Sequence, residues 1–250
     1  MVRSLLVRGL LVGLIAGLVG FLVAALLGEP QVTRAIAFEQ THAAGAEPGT
    51  FSRTVQATVG LATGMLLFGL ALGALFGLAY AFAQGRLGLG VRATAGLVAL
   101  AGFVTVVLVP FVKYPASPPS VGDPASIGRR TGLYVAMLAL SVAVAVLAAQ
   151  LRRALAPRLG GWDASIAAGA AFVAGVAVLM VLLPSVDEVP SDFPASLLWR
   201  FRLASLAVQT AMWATLGLTF GALTERAWRR SRGHSTVDSA TTASPTSDRL

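Results

Sequence analysis

Long apolar runs alternate with short clusters of basic and turn-forming residues along this 250-residue chain. The first run, Gly9 to Gly28, follows Arg3 and Arg8. Five more fall at 56–84, 93–112, 131–150, 164–183 and 203–224, and none of these holds Asp, Glu, Lys, Arg or His. Each run is near or above the ~20 residues that cross the hydrocarbon of a bilayer. The first exceeds the ~7–15 residues of a signal-peptide core, so it reads as a retained helix. The pattern predicts an all-α integral membrane protein with six transmembrane helices. Residues 1–228 form one polytopic domain, and 229–250, rich in Ser and Thr, are expected as a disordered cytoplasmic tail.

The basic residues between the runs set the orientation. One side carries Arg3, Arg8, Arg86, Arg92, Arg152, Arg153, Arg158, Arg226, Arg229, Arg230, Arg232 and Arg249, which is 12 of the 19 Lys and Arg residues. The richer side is expected in the cytoplasm, with both termini on it. Seven of the 11 acids fall on the other side, Glu29, Glu39, Glu47, Asp123, Asp187, Glu188 and Asp192.

Composition agrees with this pattern. The chain is 56% hydrophobic and 12% charged, where soluble domains carry about 25% charged residues. Mean hydropathy is +0.78. The net charge of +8 reads as topology signal and contact with anionic lipid, not as a nucleic-acid surface, because no basic helix or aromatic platform accompanies it. The chain has no cysteine, so disulfides, thiolate metal sites and cysteine nucleophiles are excluded. No P-loop, H-E-x-x-H or Ser-His-Asp constellation is present, so no enzyme is expected.

Two patterns bear on architecture. Gly9, Gly13 and Gly17, then Gly69, Gly73 and Gly77, then Gly217 and Gly221, recur every four residues. Such rows let helix backbones approach closely, although Gly is also simply common in membrane helices. Pro30, Pro110 and Pro184 each follow an odd-numbered run, at separations of 80 and 74 residues. This spacing predicts three parallel-repeated helical hairpins.

The candidate chemistry lies in the outer loops. If residues 31–42 are helical, Glu39 and His42 share a face. Oxygen and imidazole suit a borderline divalent ion, with Glu29, Asp187, Glu188 and Asp192 as further candidate ligands. The alternative is a solvated segment at the membrane surface. Lys113, Arg129 and Arg130 are expected to pair with acids of neighbouring loops. Within the membrane, Met65, Met137 and Met212 fall one to each even-numbered run, 72 and 75 residues apart. They and Gln209 are pathway candidates, although Met more often fills gaps in a core.

Longer strings point to a family. Pro110-Phe111-Val112-Lys113-Tyr114-Pro115-Ala116-Ser117-Pro118-Pro119, Val121-Gly122-Asp123-Pro124 and Ile127-Gly128-Arg129-Arg130-Thr131 resemble the signature of the CbtA family of cobalt transporter subunits. So do Val189-Pro190, Phe193-Pro194 and Trp199-Arg200-Phe201-Arg202-Leu203-Ala204-Ser205, and Gly28-Glu29-Pro30 with Ala35-Ile36-Ala37-Phe38-Glu39. The resemblance implies a bacterial cytoplasmic (inner) membrane protein linked to cobalt uptake for cobalamin synthesis. No permanently bound cofactor is implied, and cobalt(II) is the transported ion. A small CbtB-like partner with one membrane helix and a His-rich end is implied as well. The family is usually described with five membrane helices, where six are read here. Some relatives carry histidine clusters in the first outer loop, where this chain has only His42. That departure argues against a strong intrinsic metal site unless the partner supplies the imidazoles. A non-transporting scaffold, or a carrier of another solute such as nickel, are the alternatives.

Overall fold

The computed structural model describes residues 2–42, 52–119 and 121–242, with the side chains at 42, 124 and 231–242 outside the described set. The regular structure of the described residues is all helical, with no strand among them. α1 runs Val2–Val23, then through a π-turn at Ala24–Gly28 into Glu29–His42. α2 runs Arg53–Val55, a π-turn at Gln56–Gly60, then Leu61–Ala83. α3 comprises Val91–Gly102, a π-turn at Phe103–Leu108 and Val109–Lys113. α4 is Ile127–Leu182 and α5 is Ala195–Thr242. All five are long and apolar enough to cross a membrane.

Where the sequence predicts six spans, the structure has five long helices, and the difference lies in α4. The fourth and fifth predicted spans are joined there in a single 56-residue run. Gly160 breaks that run at φ 80° and ψ 165°, a conformation that essentially only glycine adopts. The chain reverses at this point. Arg152 Nε donates to Ser165 Oγ at 2.9 Å, although thirteen residues of straight helix would separate them by about 20 Å. Gly175 likewise lies against the Val144 side chain. The arms 127–159 and 161–182 therefore pack antiparallel.

Two of the π-turns have an identifiable cause. Proline lacks an N–H, and its ring clashes with the carbonyl four residues back. In α1 the Glu29 N–H reaches back to Ala24, and Pro30 follows. In α3 the Val109 N–H reaches back to Val104, and Pro110 follows. The wider turn absorbs the proline and lets the helix continue. It also leaves the Thr105 carbonyl facing a residue with no donor. Ser141 Oγ of α4 donates to that carbonyl at 2.5 Å. After Leu183 the chain does not continue as helix, so the third proline, Pro184, acts as a stop.

The core sits between α1, α2, α3 and α5. Phe220 lies between Phe76 and Tyr80, with ring centroids 5.2 and 4.9 Å away. Val12, Leu72, Ala95, Met212 and Leu216 complete the same cluster. The glycine rows on α1 and α2 face each other antiparallel. A methyl group at Gly9 or Gly13 would overlap the carbonyl of Gly73 or Gly69. Gly217 and Gly221 of α5 sit against Ala99 and Ala95 of α3. Close backbone approach through small residues is the usual mode of helix association in lipid, where apolar side chains gain nothing by leaving it.

α4 is peripheral. Only 11% of its most apolar stretch is buried, against 33% in each of the other four helices. It meets the bundle chiefly through the second half of α3. One end of the bundle carries Arg8, which hydrogen-bonds Thr224 at 3.1 Å, and the ion pair of Arg92 with Glu225. The opposite end carries the ion pair of Glu29 with Arg53 and the long loops. A second apolar cluster caps this loop end: Ala35 and Phe38 of α1 pack on Val121, Phe193 and Leu197, with Phe38 edge-on to Phe193 at 5.1 Å.

Candidate functional site

The separation of α4 from the bundle leaves a cleft. It has a volume of about 820 Å³ and descends from the loop end between α2, α3, α4 and α5. Its mouth is formed by the proline-rich residues 114–119 with Val121, and by residues 186–189. Its walls include Phe68 and Leu72 of α2, Val106, Val107 and Phe111 of α3, and Thr131, Tyr134 and Leu138 of α4. α5 contributes Arg202, Ser205, Gln209 and Trp213. Their spacing of three or four residues places them on one face of the helix, so the cleft has one polar wall among apolar and aromatic ones.

The mouth is braced by hydrogen bonds. Glu188 Oε2 accepts from Ser126 Oγ at 2.7 Å and from the Asp123 N–H at 3.1 Å. It also pairs with Arg130 Nε at 3.3 Å. The Arg130 Nη1 group donates to the Val121 carbonyl at 3.4 Å. Gly122, at φ 109°, lies against this guanidinium, where a methyl group would collide with it. Lys113 Nζ donates to the Met180 carbonyl at 2.8 Å, and the Tyr114 hydroxyl to the Pro184 carbonyl at 2.8 Å. Burial raises the Tyr114 hydroxyl above its usual pKa, with Arg129 pulling it partly back, so the hydroxyl keeps its proton and donates. Arg202 Nε holds the Ala116 carbonyl at 3.3 Å.

Deeper in the cleft, polar atoms lack partners. Gln209 Oε1 and Trp213 Nε1 are both buried without a hydrogen bond. Such groups are costly in an apolar interior unless something satisfies them. Ser205 and Gln209 also line a smaller cavity of about 180 Å³ on the far side of α5, with Glu29, Val32 and Leu61.

The candidate residues named from the sequence distribute unevenly around this geometry. Asp187 and Glu188 lie in the mouth, and Asp192 is exposed further along the same loop. Glu29 is held by Arg53 and lines the small cavity. Glu39 is half-buried on the extension of α1 that ends at His42, and the His42 side chain is outside the described residues. Among the described residues no three His, Asp or Glu side chains come together as a metal cage. Met65 and Met212 meet against Gly20, whereas Met137 is buried on α4 outside that cluster. Gln209 does line the cleft. Arg202, Ser205 and Trp213 join it there, beyond the candidates that the sequence offers. Their three-to-four spacing with Gln209 is the signal that finds them. For Arg202 it is masked because a basic residue near the end of a membrane helix reads as a topology signal.

A family model described as "Probable cobalt transporter subunit (CbtA)" matches residues 2–225. The chain belongs to the CbtA family. No curated protein and no solved structure matches it. The CbtA match takes in all five apolar helices and the whole cleft, and it stops short of the last stretch of α5. A cobalt transporter subunit of this family is a multi-pass membrane protein, consistent with the five long apolar helices.

Proposed function

We propose that this CbtA member is the membrane-embedded subunit of a cobalt importer, and that its cleft is the entry path for the cargo. The cleft carries the reading, since it opens between the long loops and runs down to the polar face of α5. The chain crosses the bacterial cytoplasmic membrane six times, as three hairpins, with both termini inside. The reversal at Gly160 and the excess of arginine at the Arg8 end support this topology. Asp187 and Asp192, with Glu29, Glu39 and His42 further out, raise the concentration of divalent cations near the mouth. Gln209 stands on the path, with Met65 and Met212 beside it at the α1–α2–α5 contact. A small single-helix partner rich in histidine supplies imidazoles that this chain lacks. The chain performs no chemistry on its cargo, and it holds no permanent cofactor.

The test is uptake of radiolabelled cobalt at nanomolar concentration in cells without their own cobalt importers, with this chain expressed alone and with a His-rich partner. Uptake that requires the chain and is competed only by related divalent ions is expected. Absence of uptake in both cases, with the protein verified in the membrane, would favour a non-transporting scaffold. Competition by nickel at equal concentration would make nickel an equal cargo.

A further inference from the structure

We infer that the cleft takes its metal as a complex with a small organic chelator bearing carboxylates and a planar or apolar body, and not as the bare aqua ion. This deepens the cobalt-import reading and rests on it.

Size comes first. A divalent ion with an octahedral shell of six waters fills roughly 200 Å³, at about 30 Å³ per water. The cleft offers about 820 Å³, within the range of about 300–1,000 Å³ typical of organic-ligand sites. The walls come second. Phe68, Phe111, Tyr134 and Trp213 give it aromatic surface, which a hydrated ion cannot use and a planar ligand can stack upon.

Donor chemistry points the same way. Among the described residues the carboxylates in the lining are Asp187 and Glu188, and Glu188 is already held by Arg130, Ser126 and the Asp123 N–H. Two carboxylates at the mouth, one of them occupied, are a poor substitute for the six-oxygen shell that the ion would have to shed. Arg202 uses Nε on the Ala116 carbonyl, and its Nη groups have no partner among the described residues. A guanidinium in a half-buried wall is the group best shaped to grip a carboxylate through two parallel hydrogen bonds. Below it, on the same face of α5, the Trp213 side chain is only 7% exposed and its Nε1–H has no acceptor, while Gln209 Oε1 has no donor. An organic ligand that offers one acceptor and one donor satisfies both atoms, whereas a bare cation would suit the Gln209 oxygen alone and leave the indole N–H and Arg202 unmatched.

The experiment uses the full chain in lipid nanodiscs and reads tryptophan fluorescence, which a paramagnetic Co²⁺ complex quenches on close approach. Three titrants are compared: cobalt with excess L-histidine, which forms a carboxylate-bearing imidazole complex, free cobalt, and L-histidine alone. The complex is expected to give saturable quenching that is lost in Trp213→Phe and shifted about tenfold weaker in Arg202→Gln. Free cobalt should give none of this Trp213-dependent quenching at equal total metal. Quenching by free cobalt equal to that of the complex, or none by the complex in a protein whose circular dichroism is intact, overturns the inference. Cobalt uptake by cells is then measured with and without histidine. Uptake that follows only the free ion rejects the chelate while keeping the importer. Quenching without uptake in either form rejects the importer while keeping the chelate site.

Discussion

Glu188 is where a residue's chemistry and its location pull in different directions. An acid in an outer loop reads as a cation collector, yet here its carboxylate is a fastening. It joins the α3–α4 loop, through Ser126 and the Asp123 N–H, to the loop that leads into α5. The Arg130 ion pair adds little by itself, because both side chains are about a quarter exposed and solvent screens them. The two donors account for most of the effect. Glu188→Ala should destabilise the protein by about 1 kcal/mol, measured by unfolding in detergent. Glu188→Gln keeps an oxygen for both donors and should lose less than half of that. Uptake separates the roles: a metal ligand would fail with Gln as badly as with Ala, whereas a fastening tolerates Gln. Of Lys113, Arg129 and Arg130, expected to pair with acids of neighbouring loops, Arg130 does so with Glu188. Lys113 instead takes a backbone carbonyl. A sequence shows which charges are available, but not whether a free carbonyl lies nearer than the acid.

At the level of helices, the glycine rows show what spacing reveals and what it leaves out. A period of four marks a face that permits close approach. It does not say which face meets which. The structure pairs the row on α1 with the row on α2, in opposite directions. Gly73→Ala should place a methyl group on the Gly9 carbonyl, with only backbone around it to give way. Overpacking of this kind costs about 1–3 kcal/mol. Gly64→Ala, on the same helix with open space around it, should be neutral. Equal thermal stability of the two variants would remove the glycine contact as the basis of the α1–α2 pair. The prolines were likewise visible as a recurring mark at the ends of odd-numbered runs. Their consequence was not, because whether a proline stops a helix or widens one turn depends on what packs outside it. Pro110 is tolerated within α3 because Ser141, on another helix, takes the carbonyl that the π-turn leaves without a donor. The polar wall of the cleft was half legible for a related reason. Gln209 stands out inside an apolar run, whereas Arg202 and Trp213 acquire meaning only when α4 stands away from α5.

Across the whole molecule, the decisive question is how α4 meets the membrane. As one straight rod its 56 residues would span about 84 Å, nearly three times the roughly 30 Å of a hydrocarbon core. Folded at Gly160, each arm is long enough for one crossing and too short for two, and the basic cluster Arg152, Arg153 and Arg158 lies by the bend. The absence of cysteine from the native chain makes this directly testable, because any introduced cysteine is unique. Ser117→Cys and Asp187→Cys sit in loops at either end of the α4 hairpin, and Leu89→Cys and Gly161→Cys sit at turns on the opposite end of the bundle. With both termini inside, a membrane-impermeant maleimide added to intact cells should label the first pair, and the second only after permeabilisation. A single crossing by α4 would put Ser117 and Asp187 on opposite sides, so that only one of them labels from outside. The cleft would then no longer have both of its loops on one face, and the entry path proposed for the cargo would fail with it. Reversal of the whole pattern would keep the hairpin but turn the cleft to the cytoplasm, making it an exit for imported metal or an entry for exported metal.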